Sequence, residues 1–554
     1  MKRYLFWVMT IFFLTQTIFA KDTVVLEAAK KELSRSMTEL AKEKTTPYFI
    51  SYEISDIKKY SINASFGNII NCDSSHNRLL DIDLRVGSYD FDNTHIIRGE
   101  RFSFGGRGGS ASLPLEPNEA ALRSAIWFAT DREYKDATEK FEKALTNKAV
   151  KVQEEDSSAD FSHEEPYKFF GNEIHFNVDV ARWTALVKEL SLQFKGLDKF
   201  YTGSAAFTAE LIEKYIVNSE GSELHWFEPS FRIMIQAKTK SEDGMSLPLY
   251  KSYFSFEQNG LPDASVIKGD IEKMITLLKN LRNAPLMITY TGPAILSGEA
   301  AGVFFHEIFG HRVEGHRQKD PNSSQTFKSF LGKKILPDFI DVIFDPTERE
   351  LNNREISGYY EYDDEGVKAQ KVVAVEKGVF KNFLMSRSPI ENFSESNGHG
   401  RKQPGYSVCS RQSNLIVNAR QSVPVAELKE MLRKQCMEQG KEYGLYFDAV
   451  QGGFTFTGRT IPNAFNVNPL VVYKVYADGR PDELVRGVDL IGTPLTTFSN
   501  IIAAGDDLGI FNGICGAESG GVSVSASSPS LLVSTIEVQK KSKSQAKPPI
   551  LSAP

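Results

Sequence analysis

Cysteine, tryptophan and histidine are scarce in this chain of 554 residues, which holds four, four and nine of them. Four cysteines (Cys72, Cys409, Cys436 and Cys515) are too few for a disulfide scaffold, which needs closely spaced bridges in a short chain. A basic excess is also missing. Lys and Arg number 65 against 71 Asp and Glu, a formal net charge of −6, which gives no footprint for nucleic acid. Beyond the first twenty residues no apolar run approaches the roughly 20 residues that cross a bilayer as a helix. No repeat of fixed period is present. The Gly-rich run at 104–109 lacks both a Walker lysine and a dinucleotide fingerprint, so it reads as a connector rather than a phosphate cradle.

What is present is concentrated in His306-Glu307-Ile308-Phe309-Gly310-His311-Arg312-Val313-Glu314-Gly315-His316, a stretch with three histidines and two glutamates. Neutral imidazoles supply metal nitrogens, and a carboxylate one residue past the first can serve as a base beside the ion. In the common H-E-x-x-H arrangement the ligands lie four apart on one helix face. Here they lie five apart, which on a regular helix rotates the second by about 140° from the first. The spacing therefore predicts a bulged or broken helix between Glu307 and His311, with Gly310 where distortion is easiest. A third ligand must come from elsewhere. His316 and Glu314 are the near candidates, and Cys515, in the Gly-rich segment 512–521, is the far one. Spacing alone leaves the three open.

HExxxH followed about two hundred residues later by a Cys-Gly turn in a Gly/Ser-rich segment resembles the TldD/PmbA family of metalloproteases. Tyr290-Thr291-Gly292-Pro293, Gly298-Glu299-Ala300-Ala301-Gly302, Tyr362-Asp363-Asp364-Glu365-Gly366, Gly378 to Leu384 and Arg411 to Asn414 fit the same family. The resemblance covers about 286–540. It implies zinc held by His306, His311 and Cys515, with Glu307 as general base and His316 a bystander. Some members lack the motif and act as non-catalytic partner subunits; this chain keeps every element and so resembles the catalytic type. The family further implies unfolded or short peptide substrates and a dimer, homomeric or with a related subunit. Its fold is α+β: an N-terminal domain of helices on a sheet, then a larger β-rich C-terminal domain carrying the zinc.

Several finer expectations follow. A thiolate ligand cancels part of the zinc charge, so a further cation would help a developing oxyanion. Arg312 and Arg411 are candidates, with surface salt bridging as their plainer role. Glu314 is placed to orient a ligand histidine from behind. A sheet edge beside the metal would suit extended peptides, because strand addition selects backbone rather than sequence. With Cys515 a ligand, at most one disulfide can form, and Cys72, Cys409 and Cys436 read as partly buried thiols. Two other classes compete: a zinc-stabilised scaffold or partner subunit that does not need Glu307, and an amidase acting on cell-wall crosslinks.

The N-terminus reads as a secretory signal. Met1-Lys2-Arg3 is basic, 4–19 is mostly apolar, and Ala20 precedes Lys21-Asp22. Cleavage there would export the chain to the periplasm or outside the cell and leave it more acidic; an uncleaved anchor is the alternative. The expected organisation is signal 1–20, an α+β domain 21–284, a β-rich domain 285–540 and a disordered tail 541–554. Apolar periodicity places helices at 23–42, 117–145, 181–192, 270–281, from Ser297 into the motif, and at 425–439. Strands are expected at 48–54, 79–86, 339–344, 367–375, 414–417 and 470–475. The acidic stretch 150–165 reads as an exposed loop.

Overall fold

A computed structural model describes residues 23–96, 110–149, 156–455, 457–459, 465–492 and 494–541. The expected signal at 1–20, the Gly-rich run 104–109 and nearly all of the tail lie outside the described residues.

The chain is a mixed α+β protein. Its first sheet has seven strands, of which Pro47–Ser65, Asn68–Val86, Phe200–Asn218 and Glu223–Lys240 are long and antiparallel. The first two form a hairpin whose turn residues, Phe66 (φ 48°) and Gly67 (φ 85°), both lie in the left-handed region that matches the twist of paired strands. These strands run well past the expected 48–54 and 79–86. Their distal parts, such as Asp56-Ile57-Lys58-Lys59 and Asn71 to Arg78, are polar and lose the alternation that marks a half-buried strand.

One face of the sheet is covered along its length by four helices. Ile50, Tyr52 and Ile54 pack with α1 (Thr23–Leu40) and α2 (Glu119–Ala149). Ile62 and Ala64, on the same face by the two-residue period of a strand, join a core with α3 (Val180–Leu192) and α4 (Ala264–Asn283). The opposite face looks toward the β-rich half. There Lys402 Nζ lies 3.0 Å from Glu53 and also pairs with Asp81, Lys214 pairs with Asp364, and Ile216, Leu224 and Trp226 pack on Tyr362.

The rest of the chain builds two larger sheets. One has six strands in the order 379–380, 372–376, 340–344, 414–419, 520–528, 509–517. In the other, strands 443–455, 290–296, 531–540, 488–492 and 465–476 pair in a closed circuit. Between them runs α5 (Gly298–Ile308), nearly every residue of which is buried. A helix apolar all round belongs in a core rather than on a surface. Its glycines let strands approach: a Cβ on Gly298 would lie 2.4 Å from the nitrogen of Gly509, and one on Gly302 2.8 Å from the carbonyl of Ala526.

The acidic stretch departs from expectation over its described part. Asp156, Asp160, Phe161 and Ser162 are buried, forming a strap between the first sheet and the β-rich half. Asp160 pairs with His95 (2.9 Å) and Lys319 (3.3 Å); the Ser162 amide donates to the carbonyl of Arg387, whose guanidinium donates back to the carbonyl of Ser162. Its carboxylates are satisfied by cations far away in sequence, which composition could not reveal.

Candidate metal centre

The motif helix starts where its residues direct. The Ser297 side chain accepts from the Ala300 amide (3.3 Å), capping α5, and Glu299 sits in the first turn. The helix ends at Ile308. Phe309 (φ −115°, ψ −56°) breaks the ladder, and Gly310–Arg312 form a tight 3-10 turn. This is the interruption that the five-residue spacing predicts. Gly310 is needed for close approach rather than for an unusual dihedral, since a Cβ there would fall 1.8 Å from Gln412 Oε1. Gln412 in turn donates to the carbonyl of His306 (3.3 Å).

The break brings the two imidazoles together, with ring centroids 5.0 Å apart and planes at 75°. Cys515, on strand Gly509–Ala517 opposite Val522, places its sulfur 3.3 Å from His311 Nε2. One donor atom from each of His306, His311 and Cys515 lies within 4.8 Å of the others. Burial alone would hold the Cys515 thiol protonated, but the two imidazoles drive its pKa well below the usual range. Burial would likewise lower His311, yet the Cys515 thiolate and the Glu314 carboxylate raise it well above its ordinary value. A buried thiolate beside two ring nitrogens fits a borderline-soft divalent cation such as zinc.

The other near candidates face elsewhere. Glu314 lies behind His311, 3.3 Å from Nδ1, so that ring nitrogen is bound on one side and Nε2 faces the thiol. Burial would raise the Glu314 pKa, but His311, Arg317 and Arg411 bring it down to about 2. His316 Nε2 bonds Glu518 instead of joining His306 and His311. Glu307 is buried, and its carboxylate makes no hydrogen bond among the described residues.

Neither arginine has a surface role: both are buried and donate to backbone carbonyls. Arg312 is buried and donates to the carbonyls of Glu307 (2.8 Å) and Ile308 (3.3 Å). Arg411, with no exposed surface, donates to the carbonyl of Cys515 (2.7 Å) and to Ser519 Oγ (2.7 Å), and so braces the turn that presents the sulfur. Cys436 is buried and Cys409 partly so, but Cys72 is exposed; all four thiols are free. Sequence reasoning missed Arg317, which binds both Glu314 (2.9 Å) and Glu518 (3.0 Å). Its place three residues after Glu314 on one turn was the available signal. Gln412 carried none.

Residues 289–540, which hold the side chains of the metal centre, match the model of the PmbA/TldA metallopeptidase C-terminal domain. The chain is similar to a metalloprotease of Archaeoglobus fulgidus, 29% identical over 283 residues, which are 50% of this chain and 61% of that protein. A zinc metalloprotease TldD homolog of Saccharolobus solfataricus is 25% identical over 248 residues, 44% of this chain and 51% of its own length. The chain therefore spans between half and about six-tenths of these relatives. Among solved structures, TldE from Thermococcus kodakarensis has the same fold, with a TM-score of 0.60 at 14% identity, over 92% of this chain and all of the other.

Proposed function

We propose that the chain is a zinc-dependent peptidase in which His306, His311 and Cys515 hold the metal and Glu307 is the general base. The observation that carries this reading is the meeting of Cys515 with two imidazoles some two hundred residues earlier in sequence, all three donors within 4.8 Å. Zinc, when bound, supplies the Lewis acidity that makes water a competent nucleophile near neutral pH. The protein's own part follows from its residues. Glu307, whose carboxylate makes no hydrogen bond among the described residues, takes the proton of the attacking water and delivers it to the leaving amine. Glu314 holds His311 through Nδ1 and fixes the ring that faces the sulfur.

Unfolded or short peptides fit the surroundings. The strand bearing Cys515 is the outermost of its sheet and pairs on one side with Gly520–Ser528. Ile514, next to the sulfur ligand, is 69% exposed and offers an apolar contact. An extended substrate laid along that edge would be recognised by its backbone. Export after cleavage at Ala20 and assembly as a dimer, with itself or a related subunit, belong to the same proposal; the N-terminal sequence and mass of the mature protein test both.

The decisive comparison is zinc content and turnover of an unfolded peptide in wild type, Cys515→Ser and Glu307→Gln. Cys515→Ser should lose one equivalent of zinc. Glu307→Gln should keep its zinc and lose at least about a hundredfold in turnover. Undiminished turnover by Glu307→Gln would sink the catalytic assignment in favour of a zinc-stabilised scaffold. Faster turnover of cell-wall fragments than of peptide would replace the substrate class.

A further inference from the structure

We propose that His316, Cys409 and Glu518 form a second site for a zinc-class divalent cation, distinct from the one built by the HExxxH motif. One donor atom from each lies within 4.8 Å of the other two, and all three residues are partly buried. They come from separate segments. His316 opens the short helix His316–Lys319, Cys409 lies on the two-residue strand Cys409–Ser410, and Glu518 sits in the tight turn between Gly509–Ala517 and Gly520–Ser528. Nitrogen, sulfur and carboxylate oxygen are the donor types zinc takes, at about 2.0 to 2.3 Å from the ion. Donors this close need only small side-chain adjustments to reach a common centre, and their partial exposure leaves a fourth position for water.

The local bonding supports a cation here. His316 Nε2 and Glu518 Oε1 are already hydrogen-bond partners, while His316 Nδ1 is buried with no hydrogen-bond partner among the described residues. Arg317 Nη2 lies 2.9 Å from Oε1 and 3.0 Å from Oε2 of Glu518, which holds the carboxylate beside the histidine.

The two centres share no donor but are joined through one side chain. Arg317 contacts Glu314, which holds His311, and Glu518, which would hold the second ion. A metal on His316, Cys409 and Glu518 would therefore pin the turn that follows Cys515 against the segment that carries the motif. The resemblance to known metalloproteases assigns His316 no part in the first centre; this geometry gives it one in the second.

Metal titration of the full-length apoprotein tests the proposal. Cobalt(II) is added stepwise while thiolate-to-cobalt absorption is recorded, and zinc is counted by equilibrium dialysis. Wild type should bind two equivalents. Cys409→Ser and His316→Gln should each bind one and keep the thiolate absorption due to Cys515. Cys515→Ser should also bind one, with absorption due to Cys409, and the double serine variant should show no thiolate band. Wild type saturating at one equivalent, or both Cys409→Ser and His316→Gln retaining two, would overturn the second site. Full retention by Cys515→Ser would instead count against the first. Circular dichroism of each variant establishes that lost binding is not lost folding, and His316→Gln carries the test if Cys409→Ser does not fold.

Discussion

Glu314 shows how much of this centre depends on one side chain. It is fully enclosed, and its two oxygens face His311, Arg317 and, at 3.5 Å, Arg411. The carboxylate thus offsets two buried guanidinium groups while orienting an imidazole; burial of any of these charges alone would be prohibitive. A histidine outside the centre gives a pH prediction. His399 is completely buried, with Nδ1 donating to the carbonyl of Asn397 (3.0 Å) and Nε2 accepting from Ser413 Oγ (3.1 Å). Burial pushes its pKa from 6.5 down to about 4. A depressed folded-state pKa means that stability is fully present above pH 6.5 and is lost as pH falls toward 4, by about 3 kcal/mol. Urea midpoints measured between pH 7 and 4 should fall in wild type, and that portion of the fall should be missing in His399→Gln. A wild-type profile flat across the window would contradict this.

At the scale of elements, the metal centre depends on how α5 meets the strand that carries Cys515. Gly298 and Gly509 touch backbone to backbone: a Cβ on Gly509 would lie 2.0 Å from the nitrogen of Glu299. Neither backbone can rotate aside as a long side chain could. Gly509→Ala should therefore part helix and strand, lowering stability by about 1–3 kcal/mol as overpacking does. Zinc affinity should fall with it, because the sulfur moves away from imidazoles fixed to the helix. Thermal unfolding with zinc dialysis reads both; a variant matching wild type in each would show that the strand is not keyed to α5. The break in the motif helix was legible because it follows from counting residues per turn. The lengths of the first-sheet strands were not, since stretches of their outer halves, such as Asp56 to Lys59 and Asn71 to Arg78, break the alternation that marks a half-buried strand.

Across the whole molecule, the first sheet is tied to the β-rich half through buried charge. Lys402 sits between Glu53 and Asp81, and burial lifts the Glu53 pKa to about 7 even with the lysine beside it. Lys402→Met would leave both carboxylates without their cation, a loss of about 3–5 kcal/mol in urea unfolding. Adding Glu53→Leu should recover part of it. Stability unchanged in the single variant would mean that these contacts do not hold the two halves together.

The sequence by itself determined that His306, Glu307 and His311 share one interrupted helix, because all three lie within a turn or two and local geometry suffices. It also named Cys515, Glu314 and His316 as the possible third partners without ranking them by spacing. The resemblance implied Cys515, and the tertiary structure shows physically why it is the one that stands beside the imidazoles. That choice depends on a strand two hundred residues away, on glycines that let it touch α5, and on Arg317 and Arg411 drawing Glu314 and Glu518 to their own positions. The strap at 156–165, buried at Asp156 and from Asp160 to Ser162, has the same origin, for an acidic segment looks solvent-bound until the fold supplies Lys319, His95 and Arg387 from distant parts of the chain.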